Sequence, residues 1–98
     1  MEKIHTPEVD RLFDTILKLE SKDDCYNFFE DLCTIKEIQD MSQRLEVARM
    51  LNENKSYMEI SKETGASTTT ISRVNKCLIY GRDGYKKALL KMSDEEDK

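Results

Sequence analysis

The sequence predicts an all-α domain of about six helices with a helix-turn-helix as helices four and five, and three observations carry that prediction. The 98 residues are dominated by helix formers and hold one Pro, three Gly and no Trp. Apolar residues recur three and four positions apart in successive blocks, each closed by a short polar or Gly-containing break. Several blocks open on a hydroxyl residue with an acid three positions later, the spacing at which the two side chains cap each other's backbone N–H groups. The chain has no internal repeat and no low-complexity linker, so it reads as one domain over residues 1–98.

Taken in order, Thr6, Pro7 and Glu8 start the first helix. They supply a capping hydroxyl, a Pro whose missing N–H costs nothing at that position, and an acid at the positive end of the helix dipole. Val9, Leu12, Phe13, Ile16 and Leu19 form its apolar stripe, which predicts a helix down to Leu19 or Glu20. Ser21 with Asp24 starts the second, carrying Cys25, Phe28, Phe29, Leu32 and Cys33. Phe28 and Phe29 point about 100° apart on a helix, which widens the apolar arc and suggests burial on two sides, hence a partner subunit. Thr34 and Glu37 introduce the third and longest helix, with Ile38, Met41, Leu45, Ala48, Met50 and Leu51 and a candidate interruption near Ser42. Residues 52–55 are a polar connector. After the helix-turn-helix, Tyr80 and Gly81 mark a stop, and Asp83 caps a last short helix with Tyr85, Ala88, Leu89 and Met92. Residues 93–98 read as a frayed acidic tail.

The helix-turn-helix spans residues 57–76. Ser56, with Glu59 three positions on, starts its first helix, and Gly65, free to adopt positive φ, ends it after Thr64. Ser67 caps the second helix, in which Ile71, Val74 and Leu78 face inward while Thr68, Thr69, Ser72, Arg73 and Lys76 face out. That outer face suits a major groove: hydroxyls donate or accept, a Thr methyl meets a thymine methyl, and cations pair with phosphate or guanine. Thr68, Thr69, Thr70, Ser72 and Arg73 are expected at or near base edges, with Lys55, Tyr57, Lys62 and Lys76 on phosphates. An ordinary αα-corner with a polar outer face is the competing reading. Ser and Thr, poor helix formers, are odd choices for such a face.

Charge is segregated in the same sense. The formal net charge is −4, yet Lys55 to Lys91 holds eight basic residues against three acidic ones, a net of +5, leaving −9 elsewhere. A basic head is what phosphate neutralisation requires, and the acidic remainder disfavours other orientations on DNA. An alternative function uses the helix-turn-helix as scaffold and the acidic half as a protein-binding surface in a helical dimer without DNA binding. Enzymatic activity is not expected: His5 sits in the N-terminal lead-in, no histidine is placed to activate Cys25, Cys33 or Cys77, and there is no Gly-rich phosphate loop. The three cysteines form no Cys-x-x-Cys pair, so neither a disulfide framework nor a metal site is expected and the thiols read as reduced core fillers. No apolar run reaches the length of a membrane span or a signal peptide, and a cytoplasmic protein is expected.

Thr34 to Leu51, followed by Ser56 to Arg73, resembles the Trp repressor superfamily, more closely its small YerC/YecD-type branch. The likeness is strong through the helix-turn-helix and weak before Thr34. It implies an intertwined homodimer whose N-terminal helices interlock, with two recognition helices on successive major grooves of a pseudo-palindromic operator in double-stranded DNA, acting as a transcriptional repressor. The family's bound tryptophan lies between two arginines. Arg73 matches one, and Arg44 matches the other if the loop before the reading head is one residue shorter here. Thr34, Arg44, Arg73 and Cys77 are thus the candidate ligand pocket implied by the resemblance. Two departures count against tryptophan as corepressor: Val74 replaces a glycine and would intrude on the indole, and Cys77 replaces a serine that holds the amino group. No cofactor is therefore expected, and Arg44 is expected to pair with an acid such as Asp40 one turn away.

Overall fold

The computed structural model describes residues 2–96. After a 3-10 turn at Glu2–Ile4 come α1 (Pro7–Ile16), α2 (Lys22–Leu32), α3 (Ile35–Asn52), α4 (Tyr57–Thr64), α5 (Thr68–Tyr80) and α6 (Gly84–Glu96), with no strand among the described residues. The six-helix, all-α expectation holds, and the helix-turn-helix is the fourth and fifth helix. Although the sequence reads as one domain, the contacts divide it into two compact units, Met1–Ile38 and Gln39–Lys98. Among the described residues no helix is long and apolar enough to cross a membrane.

In the first unit local chemistry sets the helix ends. Thr6 Oγ1 accepts the Val9 N–H at 3.2 Å with Pro7 in the first turn, and Ser21 Oγ accepts the Asp24 N–H at 3.0 Å. Helix α1 stops at Ile16, short of the expected Leu19. Thr15 Oγ1 donates back to Arg11 O at 2.7 Å, and the backbone then tightens into three-residue turns, Lys18 N–H to Thr15 O and Leu19 N–H to Ile16 O. Neither α1 nor α2 contains a buried residue: Phe13, Leu17, Tyr26 and Leu32 are exposed, while Phe28 and Phe29 pack edge to face at 5.5 Å and stay half-exposed.

Helix α3 opens on a reciprocal cap, Thr34 N–H to Glu37 Oε1 at 2.8 Å and Glu37 N–H to Thr34 Oγ1 at 3.1 Å. It runs unbroken through the suspected interruption at Ser42, since the segment contains neither Pro nor Gly. It ends in a Schellman motif: Lys55 N–H reaches Met50 O, Asn54 N–H reaches Leu51 O, and Asn54 takes φ 64°. The polar connector is thus an ordered helix stop.

The core lies wholly in the second unit and consists of Val47, Ala48, Met50, Ile60, Ala66, Ile71, Val74, Leu78 and Leu89. Each large aliphatic side chain contributes about 1.5–3 kcal/mol by leaving water. On α5 the inward set is the expected Ile71, Val74 and Leu78. On α3 the burial falls on Val47, Ala48 and Met50, while the expected Met41 and Leu45 are about 40% exposed. Cys25 and Cys77 are exposed and Cys33 half-buried, so the expectation of cysteines as core fillers does not hold. Helix α6 is longer than expected and continues through Ser93 to Glu96, so that part of the acidic tail is helical; Asp97 and Lys98 lie outside the described residues. Ala88, expected to be inward, is exposed, while Leu89, Tyr85 and Met92 meet the core.

Candidate nucleic-acid interface

The reading head is built from its caps inward. Ser56 Oγ accepts the Glu59 N–H at 3.1 Å and starts α4 at Tyr57. Gly65 ends α4 in the left-handed region at φ 75°, donating its N–H to Ser61 O at 2.9 Å. Ser67 Oγ accepts the Thr70 N–H at 3.1 Å and starts α5. Because Ile71, Val74 and Leu78 are sunk in the core, the opposite face of α5 is forced outward.

On that outward face Tyr57, Thr68, Thr69, Ser72, Arg73 and Lys76 line one open groove. Six of the nine residues named from the sequence are therefore brought together, on two helices held by a single core. Lys55, before α4, and Lys62, on α4, are exposed but stand outside this groove. Thr70 is half-buried, and its Oγ1 accepts from Ser67 Oγ at 3.2 Å, so its hydroxyl belongs to the cap. The remaining cations of the basic segment, Arg82, Lys86, Lys87 and Lys91, are all exposed. A concave surface of hydroxyls, one guanidinium and one ammonium can meet an anionic backbone and read hydrogen-bonding edges together.

A family model described as "Trp repressor protein" matches residues 7–93. The chain belongs to the Trp repressor family. It is 54% identical over 96 residues to the Bacillus subtilis (strain 168) protein called "Uncharacterized protein YerC", covering 98% of this chain and 92% of that one. Its fold is similar to the crystal structure of a TrpR-like protein from Eubacterium eligens ATCC 27750, with a TM-score of 0.93 and 50% identity over 95% of this chain and 96% of that one. A crystal structure from Staphylococcus aureus superimposes with a TM-score of 0.91 at 50% identity, over 94% of this chain and 92% of that one.

The candidate ligand residues named from the Trp repressor pattern lie on several elements, each with its own surroundings. Thr34 is occupied by its reciprocal cap with Glu37 in the first unit. Arg44 is exposed on α3 and, among the described residues, makes no ion pair, so the expected partnership with Asp40 is not formed. The paired arginine of α3 is Arg49, which bonds Glu46 one turn back and Glu53 at 2.9 Å one turn on. Arg73 lines the α5 groove, Cys77 is exposed one turn further along α5, and Val74 is 2% exposed with its side chain in the core.

Sequence reasoning passed over the residues that brace the turn of the head. Thr64 Oγ1 donates to Ile60 O at 2.7 Å and accepts the Ala66 N–H at 3.1 Å, and Ser61 Oγ donates to Ala66 O at 2.8 Å. Gln43 Nε2 of α3 donates to Thr64 O at 3.1 Å. Ser and Thr in the last turn of a helix carry a weak signal for such back-bonding. Gln43 carries none, because a polar residue in mid-helix reads as solvated surface.

Proposed function

We propose that the protein is a sequence-specific DNA-binding transcriptional regulator, a repressor, which binds a pseudo-palindromic operator as a homodimer. The observation that carries this reading is the convergence of Tyr57, Thr68, Thr69, Ser72, Arg73 and Lys76 on one groove, with the rear of α5 fixed in the core. Such a helix enters a major groove by its N-terminal residues, and base edges meet Thr68, Thr69, Ser72 and Arg73 there. Lys76, Lys55 and Lys62 neutralise phosphates on either side.

Dimerisation is supported by α1 and α2, which are amphipathic yet contain no buried residue in the single chain. Large side chains left in water on that scale mark a surface awaiting a partner. A two-fold pair of heads reads two half-sites one helical turn apart, which makes the operator pseudo-palindromic. No chemistry is needed for this role, and the protein acts without a catalytic centre.

Selection of bound fragments from random or genomic duplex by the purified protein tests the reading, followed by a salt titration on the best fragment. A palindromic consensus and a log–log salt slope steeper than about −4 are expected for several phosphates neutralised. No enrichment, with flat salt dependence, favours the helical protein-interaction module instead.

A further inference from the structure

The turn joining α4 to α5 leaves no backbone polar group idle among Thr64 O, Gly65 N, Ala66 N and Ala66 O. Ser61 O takes the Gly65 N–H, Thr64 Oγ1 takes the Ala66 N–H, and Ser61 Oγ bonds Ala66 O, all from within the helix pair itself. Those bonds span five residues or fewer and travel with the helix pair wherever it goes. The fourth does not: Gln43 Nε2 on α3 donates to Thr64 O across 21 residues of sequence.

We propose that Gln43 is a positioning residue for DNA recognition, its side-chain amide pinning the α4–α5 turn to α3 and so fixing the direction in which α5 presents Thr68, Thr69, Ser72 and Arg73. The inference rests on the DNA-binding reading above. Core packing of Val47, Ile60 and Ile71 holds the helix pair close to α3, but apolar contact is non-directional and leaves rotation about the contact soft. A hydrogen bond at the turn is directional and acts at the pivot. From that pivot a tilt of about 10° moves the backbone at Arg73, about 7.5 Å along α5 from Thr68, by about 1.3 Å and its guanidinium further, beyond the tolerance of a base-edge hydrogen bond. Gln43 lines a second groove, with Gln39, Ser42, Glu46, Glu63 and Thr64, none of which lines the reading groove. Its side chain is therefore no part of the reading groove, and its bond to Thr64 O ties it to the turn that carries that groove.

The test compares the full-length protein with Gln43→Met, which keeps the length and loses the donor, and Gln43→Glu, which keeps the shape and offers only acceptors. Both are read for affinity to the duplex selected above, for its salt slope, and for amide exchange at Ala66 to Thr68, well below the melting temperature. We expect each variant to bind about three- to tenfold more weakly per reading head, the worth of one net hydrogen bond, with an unchanged salt slope and faster exchange at the turn. A merely structural role would lower the melting temperature and leave the affinity of the folded protein alone. Wild-type binding with either folded variant within twofold of it overturns the inference and leaves the DNA-binding reading standing. Failure of the wild type to bind any duplex removes both.

Discussion

The hydroxyls of Ser67 and Thr70 bond to each other across the first turn of α5, Ser67 Oγ donating to Thr70 Oγ1 at 3.2 Å while accepting the Thr70 N–H at 3.1 Å. Two of the five hydroxyls clustered at the start of this helix, Ser67 and Thr70, are therefore spent on the cap, and Thr68, Thr69 and Ser72 are left in the groove. Ser67→Ala is expected to cost about 1 kcal/mol of stability, read by denaturant unfolding. Thr70→Val should leave operator affinity within about twofold, whereas Thr69→Val, which removes a groove hydroxyl, weakens it measurably when both are titrated against the selected duplex. Equal losses for the two threonines would return Thr70 to the reading surface.

Arg73 and Lys76 share the groove but differ in what they can recognise. A guanidinium pairs with guanine through two bonds, while an ammonium is a point charge suited to phosphate. Arg73→Ala should cost about 1–3 kcal/mol on the preferred operator and relax its sequence preference. Lys76→Ala should weaken all duplexes alike and make the salt slope shallower by about one unit. Fragment selection repeated with each variant distinguishes them, and an unchanged consensus for Arg73→Ala would take Arg73 out of the base-reading set.

Much of this head was legible because α4 and α5 are short, locally capped and strongly patterned. Ser56, Gly65 and Ser67 fix their ends through bonds within three or four residues, and the spacing of Ile71, Val74 and Leu78 fixes which face of α5 is buried. What could not be read depends on contacts far along the chain. Gln43 meets Thr64 only in the folded unit, and Val47 proves more deeply buried than Met41 or Leu45 because it joins Ile60 of α4 and Leu89 of α6 in one core cluster. Asn54 illustrates a middle case, since a polar Asn-rich connector is compatible with a loop or with the left-handed stop that forms. Residues 7–38 were the least legible, as a stripe that finds no burial within its own chain looks the same in sequence as one that does.

Arg49 beside Glu46 holds that carboxylate below its ordinary value of 4.5, chiefly through their hydrogen bond. A depressed folded value means that the pair stabilises the protein above the unfolded value, near pH 4.5, and that this contribution is lost as pH falls through the folded one. Both side chains are partly solvated, at 35% and 48% exposure, so the effect is that of a screened surface pair, about 0.2–1 kcal/mol. Glu46→Gln should be less stable than wild type by that amount at pH 7 and equal to it once the pH has fallen well below the depressed value of Glu46. Urea midpoints at the two pH values and at high salt check the sign; a difference that survives at low pH would have to come from packing.

Gly81 and Gly84 stand three residues apart and should respond to substitution in opposite directions. A Cβ at Gly81 would lie 2.2 Å from the Cys77 carbonyl oxygen, the same oxygen that accepts the Gly81 N–H at 2.8 Å. Backbone must move to admit it, and Gly81→Ala is expected to cost about 1–3 kcal/mol. A Cβ at Gly84, the first residue of α6, meets nothing within 4 Å. Gly84→Ala should gain about 0.4–1 kcal/mol by narrowing the unfolded ensemble. Thermal unfolding of the two variants settles the contrast.

Val74 is expected to keep tryptophan from gating the head. Its side chain is 2% exposed and packed with Ile71 and Leu78 in the core, so the volume that a glycine would leave open is filled by the protein itself. Cys77 one turn on offers a thiol, a weak partner for an amino group. We therefore expect saturating L-tryptophan to leave both the melting temperature and operator affinity unchanged. Val74→Gly removes a buried side chain and adds backbone freedom inside a helix, which together should cost about 2–4 kcal/mol. Should that variant, and not the wild type, gain stability and affinity on adding tryptophan, Val74 is what closes the site. A saturable rise in melting temperature in the wild type would instead show that the head is ligand-gated as it stands.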